Sequence, residues 1–472
     1  MSTSPLSFAP PVTAGPSLAQ RFREVRQRTE LLCAPLLPED TVVQPMLDVS
    51  PPKWHLAHVT WFWETFLLKE HLPGYSVFHP DYAFLFNSYY NSLGSRVNRA
   101  DRGTISRPAL TDVYAYRAHI DQHMPQLLAL ADTLPSAFHE VFELGLQHEQ
   151  QHQELLATDI KYILSTSPLA PAYFTNSELG IRNSESRKTK KLELGNSESE
   201  IQNSELRKTV EPELNDSEPL IQNYPPSKAT WLPVPGGISR IGYEGSGFCF
   251  DNELNPHEVL TADFEIQNRL VTNGEYLAFV AAGGYHDFRH WLGEGWDLVQ
   301  SQGWEAPLYW VLKDKQWHRF THRGLQPVNP TAPVTHISFY EAQAYATWVG
   351  ARLLTEQEWE VAACHFQATP EGGTFLESNL LDPQPLPPNA DPTRCHQLLG
   401  DAWEWTYSPY HPYPGYNRAP GALGEYNGKF MINQLVLRGG SCATPVSHIR
   451  LSYRNFFHAD KRWQFTGIRL AR

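Results

Sequence analysis

Midway along the chain lies a stretch that cannot be folded into a core. Within 171–228 runs "NSELGIRNSESRKTKKLELGNSESEIQNSELRKTVEPELNDSEPLIQN". Asn-Ser-Glu recurs at 176, 183, 196 and 203, and Asp216-Ser217-Glu218 echoes it, so a unit of 20 residues is duplicated. Repeats of that size build solenoids when each unit brings an apolar face. These units bring mainly Ser, Asn, Glu and Lys, and no aromatic residue. Such a composition cannot offset the entropy of ordering, so 171–228 is expected to be an expanded, disordered linker. It divides the 472 residues into two bodies, 1–170 and 229–472, in keeping with the usual size of domains.

The first body reads helical. "SLAQRFREVRQRTELLCAPL" (17–36) has Ser17 as a cap and apolar residues at helical spacing. "PPKWHLAHVTWFWETFLLKEHL" (51–72) opens with prolines, which suit a helix start. "LTDVYAYRAHIDQHMPQLLALAD" (110–132) offers an Asp as cap, and "PSAFHEVFELGLQHEQQHQELLATDIKYIL" (135–164) is long. Four helices with a long second-to-third connection predict a bundle. The second body changes texture, with short strands, turn signals and many Trp and Gly. Two helices stand out there: 338–351, capped by Ser338, and 355–365, with Thr355 as cap and Glu358 at the capping-box position. A mixed α+β domain with irregular loops is expected.

A net charge of −13 argues against nucleic acid as a partner and against a basic membrane anchor. No apolar run is long enough to span a bilayer. The start "MSTSPLSFAPPVTAGPS" lacks a basic region followed by an apolar one and reads as frayed rather than as a signal peptide. Five scattered cysteines without a C-x-x-C fit a reduced, cytoplasmic setting. The 14 Trp, 21 Tyr and 23 Phe suit aromatic-rich cores or, more pointedly, a pocket for an organic cation. No obligate protein partner is evident, and small molecules are the expected ligands.

His148-Glu149-Gln150-Gln151-His152 is a literal H-E-x-x-H. Two histidines at i and i+4 share a helix face and can reach one metal ion. A firm site needs a third ligand and an open position, and the helix at 51–72 offers His55 and His58. The zinc-hydrolase reading needs a further ligand downstream and Glu149 as general base. No H-x-x-G-x-x-H extension exists, and the linker begins about twenty residues beyond His152. Imidazoles without a thiolate suit ferrous iron, zinc or copper. Spacing does not separate them, and surface or core histidines without a metal give the same pattern.

The second body resembles the formylglycine-generating-enzyme (sulfatase-modifying factor) domain, a C-type-lectin-like fold. The matching pieces are "PVTHISFYEAQAYATWVGARLLTEQEWEVAA" (333–363), "LLGDAWEWTYS" (398–408) and "VLRGGSCAT" (436–444). The first resembles the DinB-type four-helix bundle through "LAHVTWFWETFLL" and "HEQQHQE". Joined in this order they resemble the EgtB family of ergothioneine biosynthesis, the hercynine oxygenases or sulfoxide synthases. That resemblance implies a non-haem Fe(2+) held by His58, His148 and His152, with His55 outside the motif. It implies an oxygenase joining C2 of hercynine to a thiol sulfur as a sulfoxide, with dioxygen consumed.

The resemblance extends to residues around the metal. Tyr89 and Tyr90 match a tyrosine pair of one branch, where a phenol near iron supplies a proton or hydrogen atom. Arg96 and Arg99 match arginines that hold the thiol substrate's carboxylate, a pairing guanidinium favours. Gln151 matches the residue bonded to the hercynine imidazole. Asn455 matches a hercynine contact, with Phe456 and Phe457 offering faces to a quaternary ammonium. Asp48 is a candidate for a cationic group near the mouth. The branch using γ-glutamylcysteine has Trp-Asp after the Asn and an arginine four residues beyond that Asp. Here Phe456-Phe457 and Lys461 stand instead, which points to free cysteine as donor.

Cys442 has no second cysteine after it, so the two-thiolate copper chemistry of formylglycine-generating enzymes is not expected, and Arg438, Gly439 and Gly440 are read as strand and turn residues. An ovothiol-type relative commonly carries a further methyltransferase domain, and no glycine-rich nucleotide-binding stretch appears here. A selenium-using relative, a non-catalytic binding module and the zinc hydrolase are the other readings.

Overall fold

One helix organises the molecule. In the computed structural model, which describes residues 16–174 except 89, 91 and 93, then 229–418 and 427–472, the helical half contains four principal helices. They are α1 (Leu18–Cys33), α2 (Pro52–Trp63), α3 (Leu110–Leu128) and α4 (Ser136–Ser165). Ser17 caps α1 as expected, accepting from the Gln20 amide at 3.2 Å. Asp112 does not cap α3. It sits one turn in and reaches back to the Ala109 amide at 2.9 Å, because Ala109 is the residue with extended backbone. The proline pair fits the start of α2: Pro51 takes the extended backbone before the helix, and Pro52, lacking an N–H, begins it.

Every residue of α2 is buried. It packs on both α3 and α4, and α1 packs on α4. Its tryptophans Trp54, Trp61 and Trp63 fill the bundle centre, where truncating such a side chain costs about 3–5 kcal/mol. Beyond Trp63 the helix widens into a π-helical turn over Glu64–Leu68. Such turns interrupt the i→i−4 ladder and occur frequently beside functional sites.

The second half is built on two four-stranded sheets from β1 (Trp231–Val234), β2 (Phe264–Gln267), β3 (Arg352–Leu353), β4 (Trp403–Pro409), β5 (Leu435–Arg438), β6 (Asn455–Phe457), β7 (Thr466–Gly467) and β8 (Leu470–Ala471). Their orders are β1-β2-β8-β3 and β6-β5-β4-β7. Ser338 and Thr355 cap their helices through capping boxes with Glu341 and Glu358. Gly439 and Gly440 turn the chain out of β5 at φ +98° and +82°. A Cβ on Gly439 would meet the Leu398 carbonyl oxygen at 2.6 Å. Arg438 is buried between Glu356 and Glu360, so it holds the strand to the helix beside it.

The two halves share a core: Tyr309, Phe320, Leu376 and Phe465 pack into the bundle's apolar cluster. Helix α4 lies between them. Its residues Gln147, Gln150, Glu154, Thr158 and Lys161 all bond to the second half. The polar repeat expected to be disordered lies outside the described residues. No helix among the described residues is long and apolar enough to cross a membrane.

Candidate metal centre

His58 comes from α2, and His148 and His152 come from successive turns of α4. Their potential ligand atoms all lie within 4.8 Å of one another. His58 and His148 are each 2% exposed, and His152 is partly buried at the cavity edge. The His58 ring lies between two indoles, Trp54 at 4.5 Å and Trp61 at 5.6 Å, both nearly parallel to it. Its Nδ1–H donates to the Phe86 carbonyl at 2.6 Å. A carbonyl only accepts, so the lone pair of His58 is on Nε2. Phe62 stacks on His148 at 4.6 Å.

Burial pushes all three imidazoles toward the neutral form. His148 falls to about 3, and His58 and His152 fall well below the ordinary histidine value, helped by mutual repulsion. Neutral imidazoles are the form that binds a metal. Three of them, without a thiolate, match the donor set of a mononuclear iron, zinc or copper site.

Glu149 lies between these ligands in sequence and away from them in space. It is 0% exposed. Its carboxylate accepts from Trp63 Nε1 at 2.7 Å and Thr29 Oγ1 at 2.8 Å and pairs with Arg26 and Arg117 at 3.3 Å. Burial alone would raise its pKa, but the two guanidiniums with the indole and hydroxyl donors bring it to about 2. A carboxylate so fully engaged is a poor proton acceptor. Glu149 is therefore not placed as the general base that the zinc-hydrolase reading requires.

The triad opens on a cavity of about 280 Å³ shared by both halves. Of the residues singled out in the sequence, Tyr90, Arg99, Gln151, Asp48, Asn455, Phe456 and Phe457 border it. Tyr89 lies outside the described residues. Arg96 does not border the cavity: its guanidinium donates to the Ser88 carbonyl at 2.5 Å. Arg102 borders the cavity instead. It stacks on Trp54 with 3.4 Å to the ring centre and donates to Ser50 and Ser88 hydroxyls.

Gln151 donates to the Tyr453 hydroxyl at 3.4 Å. Strand β6 pairs with β5 in the register Leu437↔Asn455 and Leu435↔Phe457, which holds Asn455 and both phenylalanines at the cavity wall. Phe456 stacks on Tyr410 at 4.0 Å. Asp48 pairs with Lys461 at 2.7 Å, joining the halves.

Among the lining residues that sequence reasoning missed are His55, Glu154, Asp159 and Trp463. His55 stands outside the motif that the resemblance supplies. Asp159 follows His148 by eleven residues, three helical turns on the same face, and that spacing was the available signal. Glu154 accepts from Trp403 Nε1 at 2.6 Å and Ser441 Oγ at 2.7 Å, partners far away in sequence.

Comparison with known proteins agrees with this architecture. Residues 21–156 match the DinB superfamily and residues 218–472 match the sulfatase-modifying factor enzyme 1-like domain. The hercynine oxygenase of Mycolicibacterium smegmatis is 31% identical over 453 residues, 90% of this chain and 91% of that protein. That of Mycobacterium tuberculosis is 39% identical over 238 residues, 47% of this chain and 55% of its own length. Ergothioneine biosynthesis protein 1 of Schizosaccharomyces pombe is 28% identical over 48% of this chain and 28% of its own length. With a DinB-like helical half, a sulfatase-modifying-factor-like half and three histidines converging between them, the chain belongs to the EgtB family of hercynine oxygenases.

Proposed function

We propose that this chain is a non-haem iron(II), dioxygen-dependent sulfoxide synthase that joins C2 of hercynine to the sulfur of cysteine, giving hercynylcysteine S-oxide. The observation that carries this is the convergence of His58, His148 and His152 on a cavity walled by both halves, in a chain that matches a hercynine oxygenase along most of its length. Bound to the triad, ferrous iron would supply open coordination positions at which thiol, imidazole and dioxygen are oriented together. The reaction balances without another reductant. One C–H and one S–H bond break, a C–S and an S–O bond form, and the second oxygen leaves as water.

The protein's own residues divide the remaining work. Tyr90 borders the cavity, and a phenol there, or that of Tyr89, supplies the proton or hydrogen atom that reduced oxygen needs. The Gln151 amide donates to Tyr453, which holds the side chain at the cavity wall, where it bonds the hercynine imidazole. Asn455 bonds hercynine's polar end, while Phe456 and Phe457 offer π faces to the trimethylammonium at ~0.5–2 kcal/mol each. Arg99 and Arg102 are the cavity guanidiniums for the donor's carboxylate.

Two observations favour cysteine over γ-glutamylcysteine. Lys461 is already paired with Asp48, and a cavity of about 280 Å³ lies at the small end for two substrates held together. The test loads the chain anaerobically with ferrous iron, adds hercynine with either thiol, admits air, and follows oxygen uptake and product mass. Hercynylcysteine S-oxide from cysteine, lost in His152→Ala, is the expected result. No uptake with either thiol in iron-loaded protein would overturn the proposal.

A further inference from the structure

We infer that His55 and Asp159 are positioning residues that fix the tautomer and ring orientation of His152, and that the second half of the molecule clamps this relay through Trp463. The inference rests on the reading of the triad as a metal site. His55 lies one turn before His58 on α2, and its ring is 2% exposed. Its Nδ1 is 2.9 Å from Nδ1 of His152, and its Nε2 is 3.0 Å from Asp159 Oδ2. Asp159 stands two turns beyond His152 on α4, so His55 bridges two points of one helix from the neighbouring one.

The direction of the hydrogen bonds follows from the end of the relay. Asp159 Oδ2 also receives the Ser50 backbone N–H at 2.8 Å, and Oδ1 receives the Trp463 indole N–H at 3.1 Å. An amide and an indole nitrogen only donate, so Asp159 is the acceptor of all three bonds. His55 therefore carries its proton on Nε2 and presents a lone pair at Nδ1. That lone pair requires the proton of His152 to be on Nδ1, which leaves the Nε2 lone pair of His152 for a metal. His58 reaches the same tautomer through the Phe86 carbonyl. Both nitrogens of His55 are engaged, so His55 is not a fourth ligand.

Trp463 gives the relay a second property. It belongs to the C-terminal half, while His55, His152 and Asp159 belong to the bundle. It packs against Phe457 at 5.3 Å, a residue of the cavity wall. The orientation of a ligand on α4 is thereby tied to the docking of the other half. Partners of this kind raise ligand basicity, and losing them typically weakens metal affinity 10–100-fold.

The test uses full-length apoprotein titrated with Co2+, followed by calorimetry and by the visible ligand-field bands of the ion. His55→Phe keeps a flat ring and removes the acceptor; its Kd is expected to rise about 10–100-fold, with altered bands. His55→Gln restores an acceptor and is expected to recover most of that loss. Asp159→Asn is expected to resemble His55→Phe, and Trp463→Phe to weaken binding by a smaller factor. Wild-type affinity and bands in His55→Phe would overturn the relay, as would equal losses in His55→Phe and His55→Gln, which would assign His55 to packing. Failure of the unsubstituted protein to bind Co2+ would instead remove the metal reading itself.

Discussion

The Glu149→Gln substitution separates two accounts of the H-E-x-x-H motif. If Glu149 were the general base of a hydrolase, the substitution would abolish turnover and leave folding intact. Its surroundings predict the reverse. The carboxylate is the shared counter-ion of Arg26 and Arg117, both almost wholly buried. Removing one member of a buried pair costs about 3–5 kcal/mol, because the remaining charge is stranded. Here each arginine keeps another partner, Asp121 at 2.8 Å for Arg26 and Glu30 at 3.3 Å for Arg117. The amide oxygen can also still accept from Trp63 or Thr29. The loss should therefore fall at the low end, about 3 kcal/mol, or ~6–12 °C in melting temperature for a domain of this size. Calorimetry of the apoprotein reads this directly. Iron content after reconstitution should match the unsubstituted chain, since no ligand is touched. Turnover per folded molecule, assayed well below the melting point, should persist. An unchanged melting temperature with abolished turnover would refute the reasoning and return Glu149 to the chemistry.

Three further outcomes are expected. At the seam between the halves, burial lowers the pKa of His322 to about 4 and holds that of His448 well below the usual value. Below about pH 6.5 the unfolded chain binds protons that the folded chain excludes, so this stability is complete above that pH and declines as pH falls, by up to ~1.4 kcal/mol per unit per group. Urea midpoints measured at about pH 7.5 and about pH 5 should differ in that sense, and less so in His448→Gln; equal midpoints would contradict it. A Cβ on Gly145 would meet the Trp63 ring at 2.8 Å, so Gly145→Ala should lose about 1–2 kcal/mol net, overpacking outweighing the gain in helix propensity; a raised melting temperature would show that the indole yields freely. Deleting 176–222 should leave product formation largely unchanged, since the described residues already supply the three histidines and a cavity wall around them, and a folded but inactive deletion would exclude this.

How far the sequence could be read depended on whether the signal was local. Ser17, Ser338 and Thr355 announce helix starts because a cap is a contact three residues long. The glycines after Arg438 were legible as a turn, since a positive φ next to a close carbonyl admits little else. Asp112 was misplaced by three positions because capping side chains work from either end of the first turn. The H-x-x-x-H pair was visible as two ligands on one face. Its partners were not. The seam partners of α4 lie from 165 to 306 residues further along the chain, and helical phase says which residues share a face without saying what faces them.

The stretch from Gln147 to Glu154 makes the point most sharply. Eight consecutive polar residues inside a helix ordinarily mark a solvated surface, yet six of them are buried. Each has a use. Gln147, Gln150, Gln151 and Glu154 bond His448, Ser447, Tyr453 and Trp403 in the second half. Glu149 and Gln153 bond into the bundle, through Trp63 and Thr29 on one side and the Val25 carbonyl on the other. His148 and His152 face the cavity. At 100° per residue, successive positions sweep the whole circumference, so a helix surrounded by two bodies and a polar cavity needs polar groups on every side at that level. Burying so many polar groups is tolerable only because nearly all of them are matched. A fully polar turn within an otherwise apolar-faced helix is thus the sequence signature of a helix enclosed between two domains, and here it coincides with the place where the metal ligands stand.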